Sequence, residues 1–236
     1  MLSVENLNSG YGKFQILFDV SLRAEKRKIT AVIGPNGSGK STLLKSIFGL
    51  CTIYSGRIIL GEKEISKLKP HLIARMGVAY LPQLGNIFEN LTVLENLRIA
   101  TFISSEKKKR TIHEVLEFFP VLKERLNTKA STLSGGERQM LAMAMALLRE
   151  PKLIMFDEPS AGLAPKICDY ICEKIVELKE NFGVTILLVE QNVKKALEIC
   201  DYVYLLVAGK NVFSGTPEEL LSHSELPSMY LGLKAK

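Results

Sequence analysis

The sequence predicts an α/β chain with a parallel sheet, a phosphate-binding loop at the end of one strand, and a helical insertion. Three observations lead there. An apolar, β-branched run, Ile29–Ile33, feeds a glycine-rich loop at 34–42 and then the helical stretch Leu43–Phe48. Two later apolar runs, Leu153–Phe156 and Val184–Val189, have strand length and no alternation, as strands buried on both faces of a parallel sheet do. Between these halves, from about Asn86 to Glu150, the pattern changes to helix-like segments separated by polar loops.

Taken in order, residues 1–33 read as short strands. Leu2-Ser3-Val4 alternates, and Ser9-Gly10-Tyr11-Gly12 breaks the run. Gly49 is the stop signal for the helix after the loop, and Val78–Leu81 is a further strand. In the middle, Val93–Phe102 and Lys107–Phe119 are helix-like, Pro120 interrupts, and Arg138–Arg149 is a long helix that Pro151 stops. Ile167–Glu180 is a helix between the last two apolar runs. With no internal repeat and no low-complexity linker, residues 1–236 read as one domain. An α/β core takes 1–85 and 151–236, and a helical subdomain takes 86–150.

Composition excludes several classes. The chain has 236 residues, 47% hydrophobic and 24% charged, which is ordinary for a globular protein and wrong for disorder, collagen or a coiled coil. At this length folding removes roughly 70% of the surface from water, so no disulfide or metal staple is needed. The net charge is +6, carried in short runs at Lys26–Lys28, Lys107–Arg110 and Lys194-Lys195. Trp is absent and the aromatics do not interleave with the lysines, so solvated faces are expected, not a nucleic-acid site. An anionic membrane surface is the competing reading.

Cys51, Cys168, Cys172 and Cys200 form no CxxC and no metal-ligand spacing. Cys168 and Cys172, four apart, share a helix face and read as packing. A reducing compartment is expected. The first residues show no basic-then-apolar signal pattern. Apolar stretches such as Met140–Leu148 fall far short of the ~20 residues a membrane helix needs. The expectation is a cytosolic chain, unless a partner holds it at a membrane.

The chemistry begins at Gly34-Pro35-Asn36-Gly37-Ser38-Gly39-Lys40-Ser41, with Thr42 following, which fits the P-loop spacing G-x-x-x-x-G-K-[ST]. The glycines let successive N–H groups aim at phosphate oxygens, and the following helix adds its positive end. Lys40 is placed for the β- and γ-phosphates and the Ser41 hydroxyl for Mg²⁺. A second element is the apolar strand that ends in Asp157-Glu158. Ligands of open α/β sheets sit at strand carboxyl ends, so both carboxylates should face the loop. Asp157 suits the metal side and Glu158 the attacking water.

A third element is Leu133-Ser134-Gly135-Gly136-Glu137 before the long helix. Ser134 and Glu137 have capping-box spacing. A capped helix alone would not need two glycines in its first turn, which cost about 1 kcal/mol each relative to Ala. They make sense if an anion must approach that backbone closely.

Together these residues resemble the ATP-hydrolysing subunits of ABC transporters, over essentially the whole chain and with every motif in order. Tyr11 is similar to the aromatic that stacks on adenine, and Gln83 to the Q-loop residue that touches Mg²⁺ and links to the transmembrane partner. Leu133–Glu137 resembles the signature, Asp157-Glu158 the Walker B pair, and Ser160-Ala161-Gly162-Leu163 the D-loop. Two departures stand out. Ala164-Pro165 follows the D-loop where Asp is usual, and Gln191 stands where a switch histidine is expected. With the Met229-Tyr230-Leu231-Gly232 ending, they resemble the smaller ATPase of branched-chain amino-acid importers, a pattern related urea and amide importers largely share.

The resemblance implies a P-loop NTPase (RecA-like) core with an antiparallel β subdomain and an inserted helical subdomain. It implies ATP hydrolysis with Mg²⁺, Glu158 and Gln191 at the reacting end, and Ser41, Gln83 and Asp157 on the metal side. It also implies a head-to-tail pair with a second cassette, identical or not. Transmembrane permease subunits would hold the pair at the cytoplasmic face, with an external binding protein acting indirectly. A soluble ABC-type regulator would carry two cassettes or a long coiled-coil insertion, and this chain has neither. A P-loop kinase or GTPase would leave the paired glycines after Ser134 without a purpose.

Overall fold

The computed structural model describes residues 1–102 and 110–231. The first half runs β1 (Leu2–Tyr11), β2 (Phe14–Ala24), β3 (Ile29–Ile33), α1 (Lys40–Ile47), β4 (Thr52–Leu60), β5 (Lys63–Glu64), α2 (Pro70–Arg75) and β6 (Val78–Leu81). Helices α3 (Val93–Phe102), α4 (Ile112–Phe118), α5 (Pro120–Lys123) and α6 (Gly135–Leu147) follow. The chain then returns to β7 (Leu153–Asp157), α7 (Pro165–Phe182), β8 (Thr185–Val189), α8 (Val193–Ile199), β9 (Tyr202–Val207), β10 (Lys210–Gly215), α9 (Pro217–Ser222) and α10 (Leu226–Leu231).

Two sheets result. The larger has the order β10-β9-β3-β8-β7-β6, parallel except for the edge strand β10, and the smaller is antiparallel with the order β2-β1-β4-β5. Every residue of β3, β7 and β8 is buried, as their unbroken apolar runs require. Side chains still alternate between faces. Ile154, Phe156, Ile186 and Leu188 pack with α6 and α7, whereas Leu153, Met155, Leu187 and Val189 pack with α1 and the antiparallel sheet. A third, smaller core joins β3 and β9 to α8 and α9.

Helix α7 shows why these segments fold as they do. Its buried residues Cys168, Ile171, Cys172, Ile175 and Leu178 repeat at helical spacing, Pro165 opens it, and Gly183 closes it in the left-handed region at φ 63°. Burial pushes the Cys172 thiol up to about 12, so that thiol is packing at neutral pH, as its helical spacing predicts.

Several expectations need correction. The first strands are long, not short, and Ser9 and Gly10 lie inside β1, which turns only at Gly12-Lys13. Bulges hide this in the sequence: the β1–β2 register shifts after Val4 and again after Leu7, and Asn6 sits at φ 46°. The helix expected from Lys107 starts at Ile112, where Thr111 and Glu114 form a capping box. Of the basic run 107–110, only Arg110 lies within the described residues, and its side chain stacks on Phe182 at 4.5 Å. Pro120 is the first residue of the short helix α5. Helices α1, α6 and α7 each begin two or three residues before their expected starts.

Candidate functional site

Parallel strands bring their carboxyl ends to one edge, so the segments after β3, β6, β7 and β8 are neighbours there. The loop after β3 holds Gly34 and Ser38 buried and Pro35, Asn36 and Gly37 exposed. Gly39 is the N-cap of α1 at φ 100°, a conformation few other residues tolerate. It offers no side-chain cap, and the first N–H groups of a helix have no partner inside it. Beside them the buried Ser38 hydroxyl has no hydrogen-bond partner. Uncapped donors, an orphaned buried hydroxyl and the positive end of a helix fit a bound phosphate.

Lys40 is 4% exposed and donates to the Gly34 and Pro35 carbonyls at 3.0 and 3.1 Å, with Glu158 Oε1 at 3.8 Å. Burial lowers its ammonium from the usual lysine range, while Glu158, Asp157 and Glu190 act the other way. Ser41 Oγ donates to Asp157 Oδ1 at 2.8 Å, which joins α1 to the end of β7. Thr42 is buried, and its carbonyl accepts from Ser46 Oγ at 2.7 Å.

Asp157 is 4% exposed, and its second oxygen accepts from the Tyr80 hydroxyl at 2.9 Å. Burial first, then the Asp157 charge, push the Tyr80 phenol far up, so it stays a donor at any working pH. Tyr11 ends β1 and is exposed. Glu158 takes φ 52°, in the left-handed region just past the end of β7, and its N–H donates to Val189 O at 2.9 Å. Gln83, after β6, donates to Glu158 Oε2 at 3.4 Å. An oxygen-rich set of Ser41, Gln83 and Asp157 fits a hard cation such as Mg²⁺.

The start of α6 is built differently. Ser134 Oγ accepts from Glu137 N–H at 3.3 Å, and Glu137 Oε2 accepts from Ser134 N–H at 2.8 Å. Arg125 Nε donates to Glu137 Oε1 at 3.1 Å. Both glycines have an intrachain reason that the sequence did not reveal. A Cβ on Gly135 would stand 2.7 Å from Leu163 Cδ2, and one on Gly136 would stand 2.5 Å from Ile167 Cγ2. Gly135, Arg138 and Gln139 share a cavity of about 240 Å³ with Gln83 and Glu158. Gln191 is exposed beyond β8, and its N–H donates to Glu190 Oε2 at 3.1 Å.

Loop, strand-end carboxylates and Gln83 therefore converge; the start of α6 borders them across the cavity through Gly135, while Ser134, Gly136 and Glu137 are not among its lining residues and Gln191 stays at its own loop. Sequence reasoning missed Tyr80 and Glu190. Tyr80 is a polar-tipped residue in an apolar strand, and a buried phenol needs a partner. Glu190 follows β8 as Asp157 closes β7, and that same signal could have found it.

An α/β sheet with this loop and these carboxylates makes the chain a P-loop NTPase. Its place is narrower than that: residues 17–161 match the ABC transporter family, and the chain belongs to it. The probable branched-chain amino acid transport ATP-binding protein LivF of Archaeoglobus fulgidus is 52% identical, covering 99% of both chains. The high-affinity branched-chain amino acid transport ATP-binding protein BraG of Pseudomonas aeruginosa is 42% identical over 98% of this chain and all of that one. A lipopolysaccharide export system ATP-binding protein of Haemophilus influenzae is 35% identical over 100% of this chain and 99% of that one. Among solved structures, an ATP-binding cassette of an ABC transporter in its ADP conformation is 30% identical. It covers 97% of each chain at a TM-score of 0.84. The chain is thus a nucleotide-binding cassette, and none of its described helices is long and apolar enough to cross a membrane.

Proposed function

We propose that this chain hydrolyses ATP with Mg²⁺ as one of two paired cassettes that power import of branched-chain or related amino acids. The observation that carries the chemistry is the convergence of Lys40, Ser41, Gln83, Asp157 and Glu158 at one sheet edge. For the cargo, the support is the higher identity to the two branched-chain proteins, 52% and 42%, than to the lipopolysaccharide one, 35%.

In this reading Tyr11 stacks on adenine. The N–H groups of 34–42 and the start of α1 cradle the phosphates, and Lys40 leaves its loop carbonyls for the β- and γ-oxygens. Ser41 and Gln83 hold the metal, with Asp157 orienting Ser41. When bound, Mg²⁺ neutralises charge on the β- and γ-oxygens. Glu158 polarises the attacking water, and Gln191, an amide with no proton to trade near neutral pH, holds it by hydrogen bonds. Ser134, Gly135, Gly136 and Glu137 complete the site of the partner cassette, so one chain carries both halves of a site yet completes none.

We assign 1–85 and 151–236 to the nucleotide-binding core and 86–150 to the helical subdomain. Permease subunits hold the pair at the cytoplasmic face, an external binding protein delivers cargo to them, and nucleic acid has no part. The test is phosphate release by the purified chain, followed by leucine uptake when the chain replaces the corresponding subunit of a branched-chain importer. Hydrolysis without restored uptake would remove the cargo assignment and leave the ATPase.

A further inference from the structure

Glu190 is a buried carboxylate for which the catalytic reading has no role. It follows β8 and is 2% exposed. Its Oε1 accepts from Ser160 N–H at 3.0 Å, and its Oε2 accepts from Gln191 and Asn192 N–H at 3.1 and 3.2 Å. Its own N–H approaches Val32 O of β3 at 3.4 Å. Burial pushes its carboxyl up, and the N–H groups oppose that. A buried carboxylate is expensive to keep, so its worth lies in the groups it holds.

Those groups belong to two separate segments. Ser160 opens the loop 160–163, whose carbonyls at Ser160 and Leu163 accept from Cys168 Sγ at 3.5 and 3.4 Å. Leu163 in turn lies against Gly135 at the start of α6. Contacts therefore run from α6 through Leu163 and Ser160 to Glu190, and from there to the backbone of Gln191. The 160–163 loop begins two residues after Glu158, and the Glu158 N–H donates at 2.9 Å to the carbonyl of Val189, the residue before Glu190, so both loops adjoin Glu158.

We propose that Glu190 is a positioning residue that ties the 160–163 loop to Gln191, so that the placement of α6 sets the placement of Gln191. This rests on the catalytic reading above. In this role Glu190 acts through the backbones of its partners, Ser160, Gln191 and Asn192. Without it, both loops keep their sequence but lose their common register, and a misplacement of about 1 Å costs on the order of 10²-fold in rate.

The test uses the purified full chain and its Glu190→Gln variant. An amide can accept from one segment, but its NH₂ then faces the N–H groups of the other. We expect kcat to fall about 10²-fold with KM for ATP unchanged, and the Ser160 and Gln191 amides to exchange faster with solvent. Adding Gln191→Ala to Glu190→Gln should cost nothing further, because Gln191 is already misplaced. Should Glu190→Gln fail to fold, Glu190→Asp, which keeps the charge but shortens the reach, takes the same readouts. An unchanged kcat, a full multiplicative loss in the double variant, or normal protection of both amides would overturn the proposal. If the parent chain itself releases no phosphate, the catalytic reading fails, and amide exchange still decides the tether.

Discussion

Helices α1 and α6 both begin beside glycines, yet their N-terminal ends are finished in opposite ways. At α1 the cap is Gly39, no acidic residue stands in the first turn, and the Ser38 hydroxyl is left without a partner. At α6 a reciprocal Ser134–Glu137 box satisfies two donors, Arg125 pairs with Glu137, and Leu163 and Ile167 lie against the glycine faces. An uncapped end costs its own chain stability and gains it back when an anion binds. A capped end is stable as it stands. The contrast separates a site made for this chain's own ligand from a surface that, in our reading, serves a second chain.

The α1 side should give the largest losses. Glu158→Gln removes the group that polarises water, and we expect turnover to fall about 10²–10⁴-fold with ATP still bound. Phosphate release and nucleotide binding, measured side by side, check this. Lys40→Ala should cost about 10²–10³-fold and also weaken nucleotide binding, because Lys40, beside Glu158 at 3.8 Å, is the cation that would face the β- and γ-phosphates. If Lys40→Ala left binding and turnover intact, α1 would lose its distinction from α6.

Changes at the α6 end should be smaller and show up in stability. Ser134→Ala removes a cap worth about 1 kcal/mol, which a calorimeter should read as a melting point lower by roughly 2–4 °C. A pH series sharpens the point. Bonds from Ser134 first, and then Arg125, hold the Glu137 carboxyl below its ordinary 4.5. Because the folded value lies below the unfolded one, this stabilisation is present above about 4.5 and fades as pH falls through the lowered value. Glu137→Gln should therefore flatten the acid limb of the melting curve against pH. An equally steep limb would show that the box contributes nothing at α6.

The same contrast shows how much could be read in advance. The loop at 34–42 and the Asp157-Glu158 pair were legible because few other structures need that spacing, and because β3 and β7 are unbroken apolar runs. The Ser134–Glu137 box was legible for a similar reason, as a local rule that tertiary structure did not override. The purpose of Gly135 and Gly136 was only half visible. Leu163 and Ile167 lie about thirty residues downstream, and no local pattern announces that they will pack there. Tyr80 and Glu190 escaped for the same reason: each is defined by partners on another strand or loop. Strands β1 and β2 escaped because bulges break the alternation that marks a strand.

The central claim is that α1 binds nucleotide within its own chain while α6 acts on a partner's. It is tested most directly by dimerisation in the Glu158→Gln background, where hydrolysis cannot release the pair. Gly136→Asp puts a carboxylate where a second chain's phosphate would dock, and Ile167→Ala added to it removes the clash that any Cβ at 136 would meet. The account predicts that the Glu158→Gln chain dimerises on a sizing column with ATP. The version carrying Gly136→Asp and Ile167→Ala should still bind ATP but elute as a monomer. Ordinary ATP-driven dimers from that triple variant would contradict the account.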